Sequence, residues 1–183
     1  MTTALIIIDV QAAIDHPKWG QRNNPGAEAN LAKLLAAWRA QGMPIFHIRH
    51  DSREEGSPYA PGQPLHAFKD DVRPDEGETI IGKHTNNAFV GTSLEADLKK
   101  WGVEKLVIAG VLTQHSVDTT ARMAASLGFN VAVVSDATAA TEVTDGRGHH
   151  WPADDVHALT LTHLEADYAV ISTTAEVLRA IRT

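Results

Sequence analysis

Residues 107–129 read VIAGVLTQHSVDTTARMAASLGF. A short apolar run passes through a turn into a segment whose apolar residues recur three and four apart, and Gly128 closes it. That order describes a buried strand followed by an amphipathic helix, the repeating unit of a parallel sheet. Ser116 falls in the first turn of this helix, where backbone N–H groups have no intrahelical partner and face outward.

The same alternation extends in both directions. Residues 4–8 (ALIII), 44–50 (PIFHIRH), 78–83 (ETIIGK), 105–110 (KLVIAG), 130–137 (NVAVVSDA) and 168–172 (YAVIS) read as strands. Helical patterns occupy 27–42 (closed by Gly42), 92–102, 114–127, 152–167 and 174–181. Thr92 and Glu95 have the spacing of a capping box, and Pro152 stands near the start of its helix with acids behind it. Strands spaced by helices predict an α/β fold. It is a single-domain, Rossmann-like three-layer α/β/α sandwich over residues 1–183, with a mostly parallel sheet of about six strands. Residues 51–78, with four prolines and many charges, form a long excursion of the kind that lines a site or an interface.

The bulk numbers narrow the function. The chain has 183 residues, enough for one domain with a sizeable core. Its formal charge is −7 and its 16 basic residues are scattered, which argues against a nucleic-acid surface. There is no cysteine, so disulfides, thiolate metal sites and a thiol nucleophile are excluded. The opening MTTALIIIDVQ reads as neither a secretion signal nor a membrane span. A cytoplasmic protein with a small-molecule substrate, and with neither nucleic acid nor membrane as partner, is the expectation.

Sheets of this kind bind ligands at the carboxyl ends of their strands. Three residues satisfy that rule: Asp9 after the first strand, Lys83 after the third, and Ser116 after the fourth. Each alone has an ordinary reading, as a turn cap, a solvated lysine and a helix-start serine. Together they bring a carboxylate, an ammonium and a hydroxyl to one crevice.

These residues sit in longer stretches. IIIDVQ, GKHTNNAFVGTSLEADLKKWG, LVIAGVLTQHSVDTTAR and WPADDVHALTLTHLEADYAVI resemble the isochorismatase-like cysteine hydrolases over nearly the whole chain, with 51–78 the weakest part. The family includes nicotinamidases, carbamoylsarcosine amidases, ureidoacrylate-type amidohydrolases and the isochorismatases. The resemblance implies a small-molecule amidohydrolase cleaving a carboxamide, ureido or carbamoyl C–N bond, with Asp9 as catalytic acid and base and Lys83 as its charge partner. It also implies a cis peptide at Val111–Leu112, an oxyanion hole made by the Leu112 and Ser116 N–H groups, and a homodimer or homotetramer.

The departure is Ser116, which stands where hydrolytic members carry the nucleophilic cysteine. A thiol titrates near ~8.5 and a helix terminus with an ammonium lowers it further, whereas an alkanol gives up its proton far less readily. His115 is adjacent, but neighbouring helical residues point about 100° apart. Three readings stay open: an impaired Cys-to-Ser form, a natural serine member, and an isochorismatase-type enzyme that protonates a vinyl ether from Asp9 and needs no thiol. A pseudoenzyme that only binds a ligand is the reading from another class.

The remaining residues sort the substrate. Asp51 is followed by Ser52 and Arg53 rather than the histidine of the metal-binding nicotinamidase pattern. His47 and His50, three apart on a strand, face opposite sides, and His157 and His163, six apart, lie on different helix faces. No metal and no cofactor are expected. The pocket is expected to use Gln11, Ile14, Trp19, Phe89, Leu112 and His115, with Trp19, Tyr59 and Trp151 as loop aromatics able to close it, in the same subunit or from a neighbouring one. Substrate specificity is assigned to 12–24 and 51–78. Arg122 is expected to pair with Asp136, which holds the loop after its strand.

Overall fold

A computed structural model describes residues 2–181. Met1, Arg182 and Thr183, at the ends of the expected domain, lie outside the described residues. Six strands, β1 (Thr2–Ile8), β2 (Ile45–His50), β3 (Thr79–Lys83), β4 (Val103–Val111), β5 (Asn130–Ala139) and a terminal strand Val170–Ser172, form one sheet. With the two short strands β6 (Val143–Thr144) and β7 (His150–Trp151) paired separately, the terminal strand is β8. The large sheet runs β3-β2-β1-β4-β5-β8 and every pairing in it is parallel. The expected sheet is therefore present, with all six strands in place.

Helices α1 (Ala27–Gln41), α2 (Leu94–Lys100), α3 (Asp118–Ser126), α4 (Ala153–Asp167) and α5 (Thr174–Ala180) cover it. The period of two along β1 divides the core. Ala4, Ile6 and Ile8 pack with Leu94, Leu98, Ala121 and Leu164, so α2, α3 and α4 lie on one face. Leu5 and Ile7 pack with Leu31, Leu34, Trp38 and Val177, so α1 and α5 lie on the other. Both faces being covered, β1 can be apolar at every position from Ala4 to Ile8, all of them fully buried.

The chain leaves β1 toward β2 and β3 on one side and returns to β4 and β5 on the other. The topological switch therefore lies between β1 and β4, where a crevice opens at the strand ends. Their closeness is enforced at Gly110. Its φ is +128°, and a Cβ there would collide with the Ile8 carbonyl oxygen.

Several local expectations are corrected. The expected helix 114–127 begins as a π-helical turn, Thr113–Val117, and becomes α-helical only at Asp118. The Leu112 carbonyl accepts from both His115 N–H and Val117 N–H, which holds the turn wide. The capping box at Thr92 and Glu95 does not form. Ser93 precedes α2, its hydroxyl bonds Asp97, and Glu95 pairs with Lys99 one turn on. Arg122 pairs with Asp118, four residues back on its own helix, and lies over the Tyr168 ring. Asp136 instead accepts from the Thr174 N–H and hydroxyl and holds the start of α5.

Candidate active site

Three strand ends build the crevice. Asp9 follows β1 with φ +54°, in the left-handed region that Asp tolerates better than most residues. Lys83 is the last residue of β3 and its side chain is fully buried. Ser116 stands in the wide turn after β4, beyond a cis peptide at Val111–Leu112, and is also buried.

Lys83 Nζ joins them. It donates to Asp9 Oδ2 at 2.7 Å, to Ser116 Oγ at 3.2 Å and to the Thr85 carbonyl at 3.0 Å. His50 Nδ1 lies 3.2 Å away on a fourth side. An ammonium has three protons and no lone pair, so these four acceptors share them and His50 Nδ1 must be unprotonated. Burial first, and the neighbouring Lys83 charge second, push the His50 imidazole below its ordinary value. The neutral ring therefore carries its proton on Nε2. Asp9 Oδ1, the other carboxylate oxygen, is buried with no protein partner.

Above this base lies a cavity of about 240 Å³. Asp9, Ser116, Val111, Leu112 and Ile14, all buried, line it. His50, Trp19, Asn86 and His115 complete the lining, with Ser52, Glu54, Ser57 and Tyr59 from the 51–78 excursion. Tyr59 edges against both Trp19 (5.9 Å between ring centroids) and His50 (5.5 Å), and its hydroxyl points to the Asp9 carbonyl at 3.4 Å. Burial, then the Asp9 charge, push the Tyr59 phenol well above its ordinary range, so it keeps its proton. Trp19 is fixed by an indole N–H bond to the Ala13 carbonyl at 2.8 Å.

The structure thus places Asp9, Lys83 and Ser116 together, and puts Ile14, Trp19, Leu112 and His115 on the cavity as expected. Two expected pocket residues are elsewhere. Gln11 is fully buried and its amide is occupied. Nε2 donates to the His50 and His66 carbonyls, and Oε1 accepts from the His50 N–H at 2.8 Å. It clips the end of β2 to the excursion rather than meeting a ligand. Phe89 is buried in the α2 side of the core and stacks on Phe129. Trp151, half exposed in the β6–β7 hairpin, does not line the cavity. Conversely, His50, Ser52, Glu54, Ser57 and Asn86 were not anticipated. For His50 the signal was available: it ends the strand paired beside β1, so its side chain opens beside Asp9.

A second layer holds the first. Asp51 accepts from Arg49 Nε at 2.8 Å and bonds His66 Nε2 at 2.7 Å, while its carbonyl bonds His84 Nδ1. His47, on the opposite side of β2, bonds Glu78 instead. His157 Nε2 faces the Ser135 carbonyl at 3.1 Å and so carries the proton, leaving Nδ1 to accept from the Thr113 hydroxyl at 2.8 Å. Burial holds this imidazole below its ordinary value, and the neutral ring braces the turn that carries Ser116.

Among the described residues no helix is long and apolar enough to cross a membrane. The family model for the isochorismatase domain matches residues 3–176. The isochorismatase family protein YrdC of Bacillus subtilis, itself uncharacterized, is 41% identical over 175 residues, covering 96% of this chain and 94% of that protein. A crystal structure of an isochorismatase-family protein from Chromobacterium violaceum superposes with a TM-score of 0.95 at 50% identity, covering 98% of this chain and 93% of the other. Streptothricin hydrolase of Streptomyces noursei is 33% identical over 145 residues, 76% of this chain and 50% of that enzyme. With its sheet, switch-point crevice and nearly full-length match in agreement, the chain is a member of the isochorismatase family of hydrolases.

Proposed function

We propose that the cavity is the active site of a small-molecule amidohydrolase acting on a carboxamide, ureido or carbamoyl C–N bond, held here in a serine form. The observation that carries this reading is the single ammonium, Lys83 Nζ, bonded to both the Asp9 carboxylate and the Ser116 hydroxyl at the base of the cavity. A relative 33% identical over 145 residues is named streptothricin hydrolase.

In the mechanism the residue-116 side chain attacks the carbonyl carbon, and the Asp9 carboxylate takes its proton. The Leu112 and Ser116 N–H groups hold the oxygen as it becomes negative. When the C–N bond breaks, Asp9 returns the proton to the departing ammonia or amine. Water, deprotonated by Asp9, then attacks the acyl group and frees residue 116 with the acid product. Lys83 holds the Asp9 carboxyl group in place throughout, through its bond to Oδ2. A thiol at 116 meets the demands of the first step better than a hydroxyl, because Asp9 is a weak base for an alkanol. Ser116→Cys is therefore expected to raise the hydrolysis of at least one member of a panel of small amides and ureas well above that of the parent chain. No gain on any member counts against the reading.

One observation favours a second reading, vinyl-ether hydrolysis with Asp9 as general acid: Asp9 lines the cavity and its Oδ1 has no protein partner. That chemistry depends on Asp9 and is indifferent to residue 116. Activity on a vinyl ether that survives Ser116→Ala but not Asp9→Ala identifies it.

A further inference from the structure

We propose that the cavity selects its substrate by charge, accepting neutral or cationic small amides and turning away carboxylates, with Glu54 at its mouth as the specificity-determining residue. The inference rests on the reading that this cavity is the substrate site, and deepens it by naming the substrate class.

The formal charges on the wall are Asp9 and Glu54, both negative, and no lysine or arginine lines it. Glu54 is the uncompensated one of the two, because Asp9 is offset from beneath by Lys83. The Lys83 side chain is fully buried and its protons are spent on Asp9, Ser116 and Thr85. Lys18 lies over the Trp19 ring at 4.5 Å but is not part of the lining. The other polar groups at hand are uncharged: the imidazoles of His50 and His115, both held down by burial, the protonated Tyr59 phenol, the hydroxyls of Ser52, Ser57 and Ser116, and Asn86. A carboxylate entering here exchanges its hydration for no cation, and stands against Glu54. The Leu112 and Ser116 N–H groups offer no alternative seat, because they are assigned to the reacting carbonyl.

Glu54 is placed for the opposite role. It is exposed and makes no ion pair among the described residues. Its backbone is fixed, with the N–H donating to Ser52 Oγ and the carbonyl accepting from the Ser57 N–H. An ammonium or amine on the far end of a bound amide meets this carboxylate. The cavity's volume of about 240 Å³ lies just below the ~300–1,000 Å³ of drug-sized ligand sites, which suits a single ring or short chain.

The test uses three matched probes on the chain as it stands: 4-methylbenzamide (neutral), 4-(aminomethyl)benzamide (cationic) and 4-carbamoylbenzoate (anionic). Isothermal titration at low salt is expected to rank the cation tightest and the anion weakest. Glu54→Gln is expected to narrow the gap between cation and anion about fivefold, as loss of one exposed charge implies, and to leave the neutral amide unmoved. Salt should narrow the gap in the parent protein in the same way. The proposal is overturned if the benzoate binds as well as the neutral amide, if Glu54→Gln leaves the gap intact, or if none of the three binds. Failure of the hydrolase reading looks different: the charge ranking persists while Ser116→Cys turns over no amide.

Discussion

Lys83→Met is the perturbation whose size follows most directly from the geometry. The Lys83 side chain is 0% exposed and that of Asp9 8%, with 2.7 Å between ammonium and carboxylate. At an effective dielectric of about 20 two charges at that distance attract by roughly 6 kcal/mol. Desolvation offsets part of that attraction in the intact pair. Removing one partner strands the other, and such losses run about 3–5 kcal/mol. Asp9 is poorly placed to recover, because Oδ1 already lacks a partner. Urea denaturation at pH 7.5 is therefore expected to show Lys83→Met and Asp9→Asn each destabilised by about 3–5 kcal/mol. The Asp9→Asn/Lys83→Met double variant should lose much less than the sum of the two, since it buries no unpaired charge. A Lys83→Met protein within about 1 kcal/mol of the parent, or additive single losses, would refute the view that Lys83 acts as the charge partner of Asp9.

Three further outcomes follow from neighbouring features. Gly110→Ala drives a Cβ into the Ile8 carbonyl and should cost about 3 kcal/mol or more by separating β1 from β4; an unshifted thermal melt contradicts the close approach. Gln11→Ala leaves the His50 N–H and the His50 and His66 carbonyls unpaired, for a loss of about 2–4 kcal/mol and faster hydrogen exchange at the His50 amide. For Glu78, burial alone would raise the carboxyl, but bonds from Arg39, the Asp75 N–H and His47 hold it at about 2 instead of 4.5. A depressed carboxyl contributes stability that is complete above pH 4.5 and lost as pH falls toward 2. Glu78→Gln should thus remove up to about 3 kcal/mol at pH 7 and flatten acid unfolding between pH 4.5 and 2. A slope identical to the parent's would show that Glu78 carries no such share.

The architecture was legible because its signals are local. ALIII in β1 and VIAG in β4 are apolar runs bounded by turns and too short for a core helix, so a doubly covered strand is the reading that buries every residue of them. The strand-end rule then located Asp9, Lys83 and Ser116 without any knowledge of contacts. What escaped depends on distant parts of the chain. The π-helical turn at Thr113–Val117 arises from how the Leu112 carbonyl is presented after β4, and periodicity alone reads through it as plain helix. Gln11 looked like a pocket residue by its nearness to Asp9, but its partners come from His50 and His66, 39 and 55 residues away. Arg122 chose Asp118, already on its own helix face, over Asp136, which the Thr174 N–H and hydroxyl occupy. Ser52, Glu54 and Ser57 belong to an excursion without periodicity, whose path across the crevice is set by tertiary bonds such as those at Asp51.

The most direct test of the central claim is intact-protein mass spectrometry after rapid quench of Ser116→Cys with a small amide substrate. The account predicts an adduct equal to the amide less ammonia on residue 116, followed by release of the acid, and its disappearance in the Ser116→Cys/Asp9→Asn double variant. Hydrolysis without any adduct, or an adduct formed equally well without the Asp9 carboxylate, would contradict it.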